Sequence, residues 1–226
     1  ISVPIASQNL HAVGVATAMQ CKREPQAVVT TVGDGGTSRG DFYEAVNVAG
    51  AWNLPVVFVI NNNQWAISIR REYQTKAQTI AQKGIAGGLE CLQVDGNDVV
   101  AVQDAVSIAL EKARMGNGAT VIEAITYRMC DHTTADDARR YRSKEELEEN
   151  KKIDPVIRLR NYMAAEGIWD EAKEKALHQK LSQEVADAVE RYLNTPKRKP
   201  QSMLEYLYAE LPTAYQDQYE ELKARG

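Results

Sequence analysis

Two short apolar runs constrain the fold of this 226-residue sequence more than any other feature. Residues 27–32 read AVVTTV and residues 56–60 read VVFVI, and neither run alternates with charged residues. Such uninterrupted runs, rich in β-branched residues, are typical of strands that are buried on both faces. A strand of this kind needs helices above and below it, so the two runs predict an α/β fold with a mostly parallel sheet.

The rest of the first half alternates between helical and strand patterns. Helices are predicted at 8–19, 41–52, 76–86 and 98–114, and strands at 27–32, 55–60, 89–94 and 120–125. Asp98 is a candidate N-cap of the fourth helix. This regular order predicts helices on both faces of the sheet.

The character of the sequence changes after this alternation. A polar segment at 128–142 is predicted to be a long loop, and long loops in compact domains are usually functional. Helices are then predicted at 144–152, 154–166, 170–194, 202–210 and 214–224. We therefore predict an α/β domain at 1–150 and a helical C-terminal extension at 151–226.

Composition excludes several classes of protein. With 44% hydrophobic and 26% charged residues, the sequence is not that of a disordered or fibrous chain. The net charge of −4 and a single short basic run at 197–200 predict no nucleic-acid partner. The apolar runs are too short to cross a membrane and no secretory signal opens the sequence, which predicts no membrane partner and a cytoplasmic location.

Two polar turns follow the predicted strands. The glycine turn (residues 33–36, GDGG) comes after the first strand, and the asparagine turn (residues 61–63, NNN) after the second. Taken singly, each has a simple structural explanation, because glycine permits positive φ, aspartate can cap a following helix, and asparagine tolerates left-handed conformations. Together they lie at the carboxyl ends of strands, where ligands bind in such sheets. Oxygens of Asp34 and Asn63 could there hold Mg²⁺ against a diphosphate, with backbone N–H groups of Gly35 and Gly36 facing the anion.

The motifs also carry a family resemblance. GDG followed by a helix, a strand and NN resembles the thiamine-diphosphate motif, including the spacing from Asp34 to Asn63. The longer stretch GDGGTSRGDFYEAVNVAGAWNLPVVFVINNNQWAIS, with VDGND, DHTTADDARRYRSKEE and ELP further on, is similar to alpha subunits of the decarboxylating component of 2-oxo acid dehydrogenase complexes. Bacterial pyruvate enzymes are the nearest match. The likeness covers essentially the whole chain.

The resemblance implies a thiamine-diphosphate-binding fold with thiamine diphosphate and Mg²⁺ as cofactors. It implies that the side chains of Asp34 and Asn63 and the backbone oxygen of Trp65 bind the metal. It further implies that His132 is a catalytic residue lying against the diphosphate. Asp34 and Asn63 thereby also bind the cofactor, together with the glycines that let the backbone approach it, Gly33, Gly35 and Gly36.

Two acidic residues at the start of the second predicted helix are further candidates. Asp41 and Glu44 can simply complement the helix dipole. The resemblance instead implies a catalytic role, in which they line a water-filled channel between two active sites. Both explanations stay open at the level of sequence.

The resemblance also implies partners. These are a beta subunit in an alpha2–beta2 heterotetramer, which supplies the activating glutamate, a dihydrolipoamide acyltransferase core, and a 2-oxo acid substrate. A sizeable N-terminal part of the family's alpha subunit is expected before Ile1. Pyruvate is favoured as substrate, with branched-chain 2-oxo acids and acetoin as alternatives. A different class, a non-catalytic nucleotide- or phosphate-binding scaffold, is disfavoured because the turn matches neither G-x-G-x-x-G nor a P-loop.

Overall fold

The computed structural model describes residues 4–225, in two compact units that divide between Ile168 and Trp169. The helices are α1 (Ser7–Lys22), α2 (Gly40–Ala51), α3 (Arg71–Gln74), α4 (Val99–Arg114), α5 (Lys144–Lys151), α6 (Pro155–Ala165), α7 (Glu171–Leu193) and α8 (Gln216–Ala224). The strands are β1 (Val28–Gly33), β2 (Val56–Asn62), β3 (Trp65–Ala66), β4 (Ile69–Arg70), β5 (Glu90–Asp95) and β6 (Thr120–Ile125). The predicted division at 150/151 stays a prediction.

The first unit contains a four-stranded sheet with the order β1-β2-β6-β5. Every neighbouring pair in it is parallel, which confirms the predicted α/β fold. Gly33, the last residue of β1, lies opposite Asn61 near the end of β2. The glycine turn and the asparagine turn therefore leave the sheet side by side, as the sequence predicts.

Helices cover both faces of this sheet because β2 is apolar on both. Phe58 and Ile60 are fully buried and pack with α1 and α2 in one core cluster. Val57 faces the other way and packs against Ala109 of α4 in a second cluster. Each fully buried side chain of this size contributes roughly 1.5–3 kcal/mol, so the two cores fix the position of β2 firmly.

The helix predicted at 76–86 is wrong. The structure has irregular backbone followed by a 3-10 helix at Ala81–Gly87. A Cβ atom at Gly84 would lie 2.6 Å from Cγ2 of Val121 in β6, so this backbone is closer to the sheet than an α-helix with ordinary side chains permits. The backbone N–H of Ala81 donates to the Glu123 side chain, so a contact distant in sequence stabilises this conformation.

Short elements around the asparagine turn have no counterpart in the sequence prediction. β3 and β4 form an antiparallel hairpin of two residues each, and the four-residue α3 follows directly. Elements of this length are below the window in which periodicity can be detected. The predicted loop at 128–142 is confirmed, with one 3-10 turn at Ala138–Arg140.

The second unit is helical. Asp170 caps α7 by accepting a hydrogen bond from the backbone N–H of Lys173, and α7 has no buried residue. The helix predicted at 202–210 is wrong, since only a 3-10 helix at Pro200–Met203 forms there. Residues 206–208 are at least 47% exposed, so they contribute little of the buried apolar contact that stabilises most helices in proteins. Within residues 4–225, no helix is long and apolar enough to cross a membrane.

Candidate functional site

The two turns line one cleft at the carboxyl edge of the sheet. The glycine turn continues β1 into a 3-10 helix at Asp34–Ser38, and the asparagine turn ends β2. The cleft has a volume of about 520 Å³, which lies in the range of small-molecule sites. Its wall contains the predicted site residues Gly33, Asp34, Gly35, Gly36, Asn63, Trp65 and His132.

Asp34 is a buried carboxylate, with 1% of the residue exposed. Nε2 of Gln74 donates to its Oδ2 at 2.8 Å. Burial raises the pKa of Asp34, and hydrogen bonds from Gln74 and from the backbone of Asn63 oppose this shift. A carboxylate that is costly to ionise in its own site is a group that a bound cation would stabilise.

The other two candidate metal ligands are oxygens of the asparagine turn and β3. Oδ1 of Asn63 accepts a hydrogen bond from the backbone N–H of Trp65 at 3.1 Å. The backbone oxygen of Trp65 has a long contact of 3.4 Å with Nη1 of Arg128. Each of these oxygens has a second lone pair, so both can also bind a cation.

This donor set fits magnesium. Mg²⁺ prefers hard oxygens and is commonly bound by one or two carboxylates, with phosphate oxygens and water completing the octahedron. In the part of the chain that the structure describes, no group of three or more His, Cys, Asp and Glu residues could hold a metal. Asp34, Asn63 and Trp65 instead offer one carboxylate, one amide oxygen and one backbone oxygen, with Asp34 as the one carboxylate among them.

The glycine turn does not require positive φ. Among the described glycines, positive φ occurs at Gly88, Gly116, Gly118 and Gly167, so the simple conformational explanation of the turn is wrong. Close packing explains two of its glycines instead. A Cβ atom at Gly35 would lie 2.7 Å from Cβ of Ala66, and one at Gly36 would lie 2.5 Å from Cγ2 of Val32. At Gly33 a Cβ atom would meet nothing within 4 Å.

His132 lies at the cleft on a loop that is tied together by its own polar groups. Its backbone N–H donates to Oδ2 of Asp136 at 2.8 Å, and the same oxygen accepts from the Tyr141 hydroxyl at 2.5 Å. These two hydrogen bonds, the Tyr141 one first, hold the pKa of Asp136 below its ordinary value. Arg142 donates to the backbone oxygen of Met129 at 2.9 Å and so closes the loop.

Comparison with known proteins shows the family to which this chain belongs. Residues 1–201 match the family described as "Dehydrogenase E1 component". The chain belongs to this family. It is 42% identical to the "Pyruvate dehydrogenase E1 component subunit alpha" of Staphylococcus epidermidis and 41% identical to that of Staphylococcus aureus, in each case over 98% of this chain and 60% of the relative. It is 43% identical to the "3-methyl-2-oxobutanoate dehydrogenase subunit alpha" of Mycobacterium tuberculosis, over 99% of this chain and 61% of the relative.

The chain thus spans about 60% of the length of the curated relatives that it matches. The family match confirms the resemblance that the sequence motifs predict. The residue roles that the resemblance implies stay predictions.

Two candidate residues of this E1 chain do not line the cleft. Asp41 and Glu44 are near the start of α2, where Asp41 is half-buried and Glu44 is exposed. Neither is among the described residues that line the cleft. Their predicted role in a channel between active sites therefore stays a prediction.

Sequence reasoning missed three side chains that support the E1 cleft from behind, Gln74, Lys83 and Glu123. Lys83 is buried, and its Nζ donates to the backbone oxygen and to Oγ1 of Thr37 at 2.8 and 2.9 Å. Burial lowers the pKa of Lys83, and the Arg71 charge adds to this shift. A signal for one of the three was present, because Glu123 interrupts an otherwise uncharged strand, TVIEAI.

Proposed function

We propose that this chain is part of the alpha subunit of a 2-oxo acid dehydrogenase E1 component, and that it binds the diphosphate of thiamine diphosphate through Mg²⁺ in the cleft. The observation that carries the proposal is the meeting of buried Asp34 with Asn63. They lie at the carboxyl ends of two neighbouring parallel strands, beside a glycine backbone. We expect pyruvate to be the substrate and lipoamide to accept the acetyl group.

The residues of the cleft have distinct roles in this proposal. Asp34, Asn63 and the backbone oxygen of Trp65 would hold the metal, and the backbone of Gly35 would approach the diphosphate. Thiamine diphosphate, when bound, supplies the nucleophilic carbon and the electron sink for decarboxylation of a 2-oxo acid. His132 would contact the diphosphate at the mouth of the cleft.

The remaining parts of the reaction would come from other chains. A beta subunit in an alpha2–beta2 heterotetramer would supply the glutamate that activates the cofactor, and the dihydrolipoamide acyltransferase core would accept the acyl group. Asp41 and Glu44 would contribute to a proton route between the two active sites. This assembly would act in the bacterial cytoplasm.

A second candidate substrate has support of its own. The identity to the mycobacterial 3-methyl-2-oxobutanoate enzyme is 43%, against 42% for a staphylococcal pyruvate enzyme, so overall identity does not separate the two. A branched-chain 2-oxo acid is therefore the alternative, with acetoin after it. Membership of the E1 family argues against a scaffold that binds a phosphate without catalysis.

Two measurements on the complete alpha subunit, assembled with its beta subunit, test the proposal. Calorimetry with thiamine diphosphate should show binding that requires Mg²⁺, and binding without metal, or none, would contradict the proposed site. Turnover of pyruvate, 3-methyl-2-oxobutanoate and acetoin should then be compared by kcat/KM. The highest value is expected for pyruvate, and a higher value for the branched-chain acid would favour the second candidate.

A further inference from the structure

Glu123 of β6 is a buried carboxylate inside the sheet, with 1% of the residue exposed. Its Oε1 accepts a hydrogen bond from Nδ2 of Asn62 at 2.7 Å. Its Oε2 accepts from the backbone N–H of Ala81 at 2.9 Å and from Nε2 of Gln93 at 3.0 Å. Three donors surround the group, which matches the acceptor-only hydrogen bonding of an ionised carboxylate. Burial of such a group is costly without these partners, so the arrangement is specific.

The contact with Asn62 reaches the asparagine turn. Asn62 directly precedes the candidate metal ligand Asn63, and its Oδ1 accepts from the backbone N–H of Gln64 at 3.2 Å. The amide of Asn62 therefore has a fixed orientation, with its NH₂ group toward Glu123 and its oxygen toward Gln64. Both ends of the Asn62 side-chain amide are therefore hydrogen-bonded, and Asn62 directly precedes the candidate ligand Asn63.

The contact with Ala81 reaches the glycine turn. Ala81 begins the 3-10 helix that carries Lys83, and Lys83 donates to Thr37. The Thr37 hydroxyl in turn donates to the backbone oxygen of Asp34 at 2.7 Å. One carboxylate thus links the supports of both turns that line the cleft.

We propose that Glu123 is a positioning residue that holds Asn63 in place for the metal, acting through Asn62. This inference rests on the proposed function, because it needs a metal-bound diphosphate in the cleft. Outer partners of metal ligands fix ligand orientation, and their loss typically weakens metal binding roughly 10–100-fold. A purely structural Glu123 would affect stability without affecting the affinity for the metal.

The hydrogen-bond pattern allows a charge-swap test. In Glu123→Gln, the new NH₂ group faces either the NH₂ group of Asn62 or the donors at Ala81 and Gln93. In Asn62→Asp, two carboxylates face each other. In the double variant, the introduced amide at position 123 can donate to one oxygen of the introduced carboxylate at position 62, while the other oxygen of that carboxylate accepts from Gln64. Every donor then again has an acceptor, and the buried charge is kept.

The measurement is the affinity for Mg²⁺ at a fixed concentration of thiamine diphosphate, by calorimetry on the complete subunit with its beta subunit. Each single variant should bind Mg²⁺ roughly 10–100-fold more weakly than the unmodified protein. The double variant should recover to within about twofold, since the two changes are coupled through one contact. Thermal unfolding of the cofactor-free protein, measured in parallel, reports any separate loss of stability.

A matched control is Gln93→Ala, which removes another donor of Glu123 but leaves Asn62 in contact. Its affinity for Mg²⁺ should be unchanged even if its thermal midpoint falls. Asn62→Ala covers the case in which Glu123→Gln does not fold, because it removes the contact and leaves the carboxylate two donors. It should lose affinity for Mg²⁺ in the same way.

Three results would overturn the inference. They are unchanged Mg²⁺ affinity in Glu123→Gln, unchanged affinity in Asn62→Ala, and a double variant as weak as the single ones. Each of them leaves the proposed function intact if the unmodified protein shows Mg²⁺-dependent binding of thiamine diphosphate. Absence of such binding in the unmodified protein would instead remove the proposed function, and this inference with it.

Discussion

The glycine turn and the asparagine turn end neighbouring strands and line the same cleft, but they are held in place by different means. Steric packing holds the glycine turn, because a side-chain carbon at Gly35 or Gly36 would clash with Ala66 or Val32. Hydrogen bonds hold the asparagine turn, because the Asn62 side chain donates to Glu123 and accepts from the backbone N–H of Gln64.

This difference bears on what each turn contributes. A glycine backbone lets a large anion approach closely because it has no side chains. Close packing behind the turn keeps this backbone in a fixed position. Amide side chains need fixed orientations to offer an oxygen to a cation, and buried hydrogen bonds supply them. We therefore expect steric changes to damage the first turn and changes of donor or acceptor to damage the second.

The largest expected effect is that of Asp34→Asn, since Asp34 is the one charged ligand that we propose. Magnesium-dependent binding of thiamine diphosphate should weaken by more than the roughly 10–100-fold that loss of an outer partner costs. Calorimetry on the assembled protein measures this. Asp104→Asn, which removes an exposed carboxylate of α4, is the matched control and should bind normally.

The same substitution should stabilise the protein when no cofactor is bound. Burial raises the pKa of Asp34 above its unfolded value, so stability falls as pH rises from the unfolded-state pKa to the folded-state pKa, and above that the full penalty for the buried charge is present. At neutral pH the thermal midpoint of cofactor-free Asp34→Asn should therefore exceed that of the unmodified protein, and the difference should vanish at acid pH. A lower midpoint at neutral pH would contradict a costly buried charge.

A smaller effect is expected for Gly35→Ala, which tests the steric half of the comparison. The new Cβ atom would lie 2.7 Å from Cβ of Ala66, and such overpacking should lower the free energy of unfolding by about 1–3 kcal/mol. Denaturant unfolding measures it. Gly33→Ala is the control within the same turn, because its Cβ atom meets nothing within 4 Å and its φ of −73° suits alanine. Equal losses in both variants would show that packing does not distinguish these glycines.

Much of the fold and the meeting of the two turns could be predicted because local signals carried them. Asp98 caps α4 as the sequence predicts, accepting from the backbone N–H groups of Val100 and Ala101. Asp34 and Asn63 meet because two buried parallel strands are neighbours, and both strands were visible as apolar runs. Signals of this kind need no knowledge of distant residues.

The supports of the site could not be predicted because their partners are distant in sequence. Asn62 and Glu123 are 61 residues apart, and Asp34 and Gln74 are 40 apart. The failure of the helix predicted at 76–86 has the same cause, since contacts of Gly84 and Ala81 with β6 decide that conformation. Among these supports, Glu123 alone had a sequence signal, which is its charge within an apolar strand.

The smallest expected effect belongs to Gln74, which touches Asp34 but sits on α3, outside both turns. Gln74→Ala removes the side-chain donor to Oδ2 of Asp34 and leaves the backbone donors, so affinity for Mg²⁺ should fall about tenfold, at the lower end for outer partners. Calorimetry with Gln78→Ala as the control, an exposed glutamine on the same segment, measures this.

The direction of that change decides between two functions of Gln74. Its Oε1 is buried and has no hydrogen-bond partner in the described structure, so this atom does not stabilise the fold by a hydrogen bond. If Gln74 orients the carboxylate for the metal, its removal weakens binding. If it occupies the oxygen that the metal needs, its removal tightens binding, and the cleft would then have to release this hydrogen bond before the cation can enter.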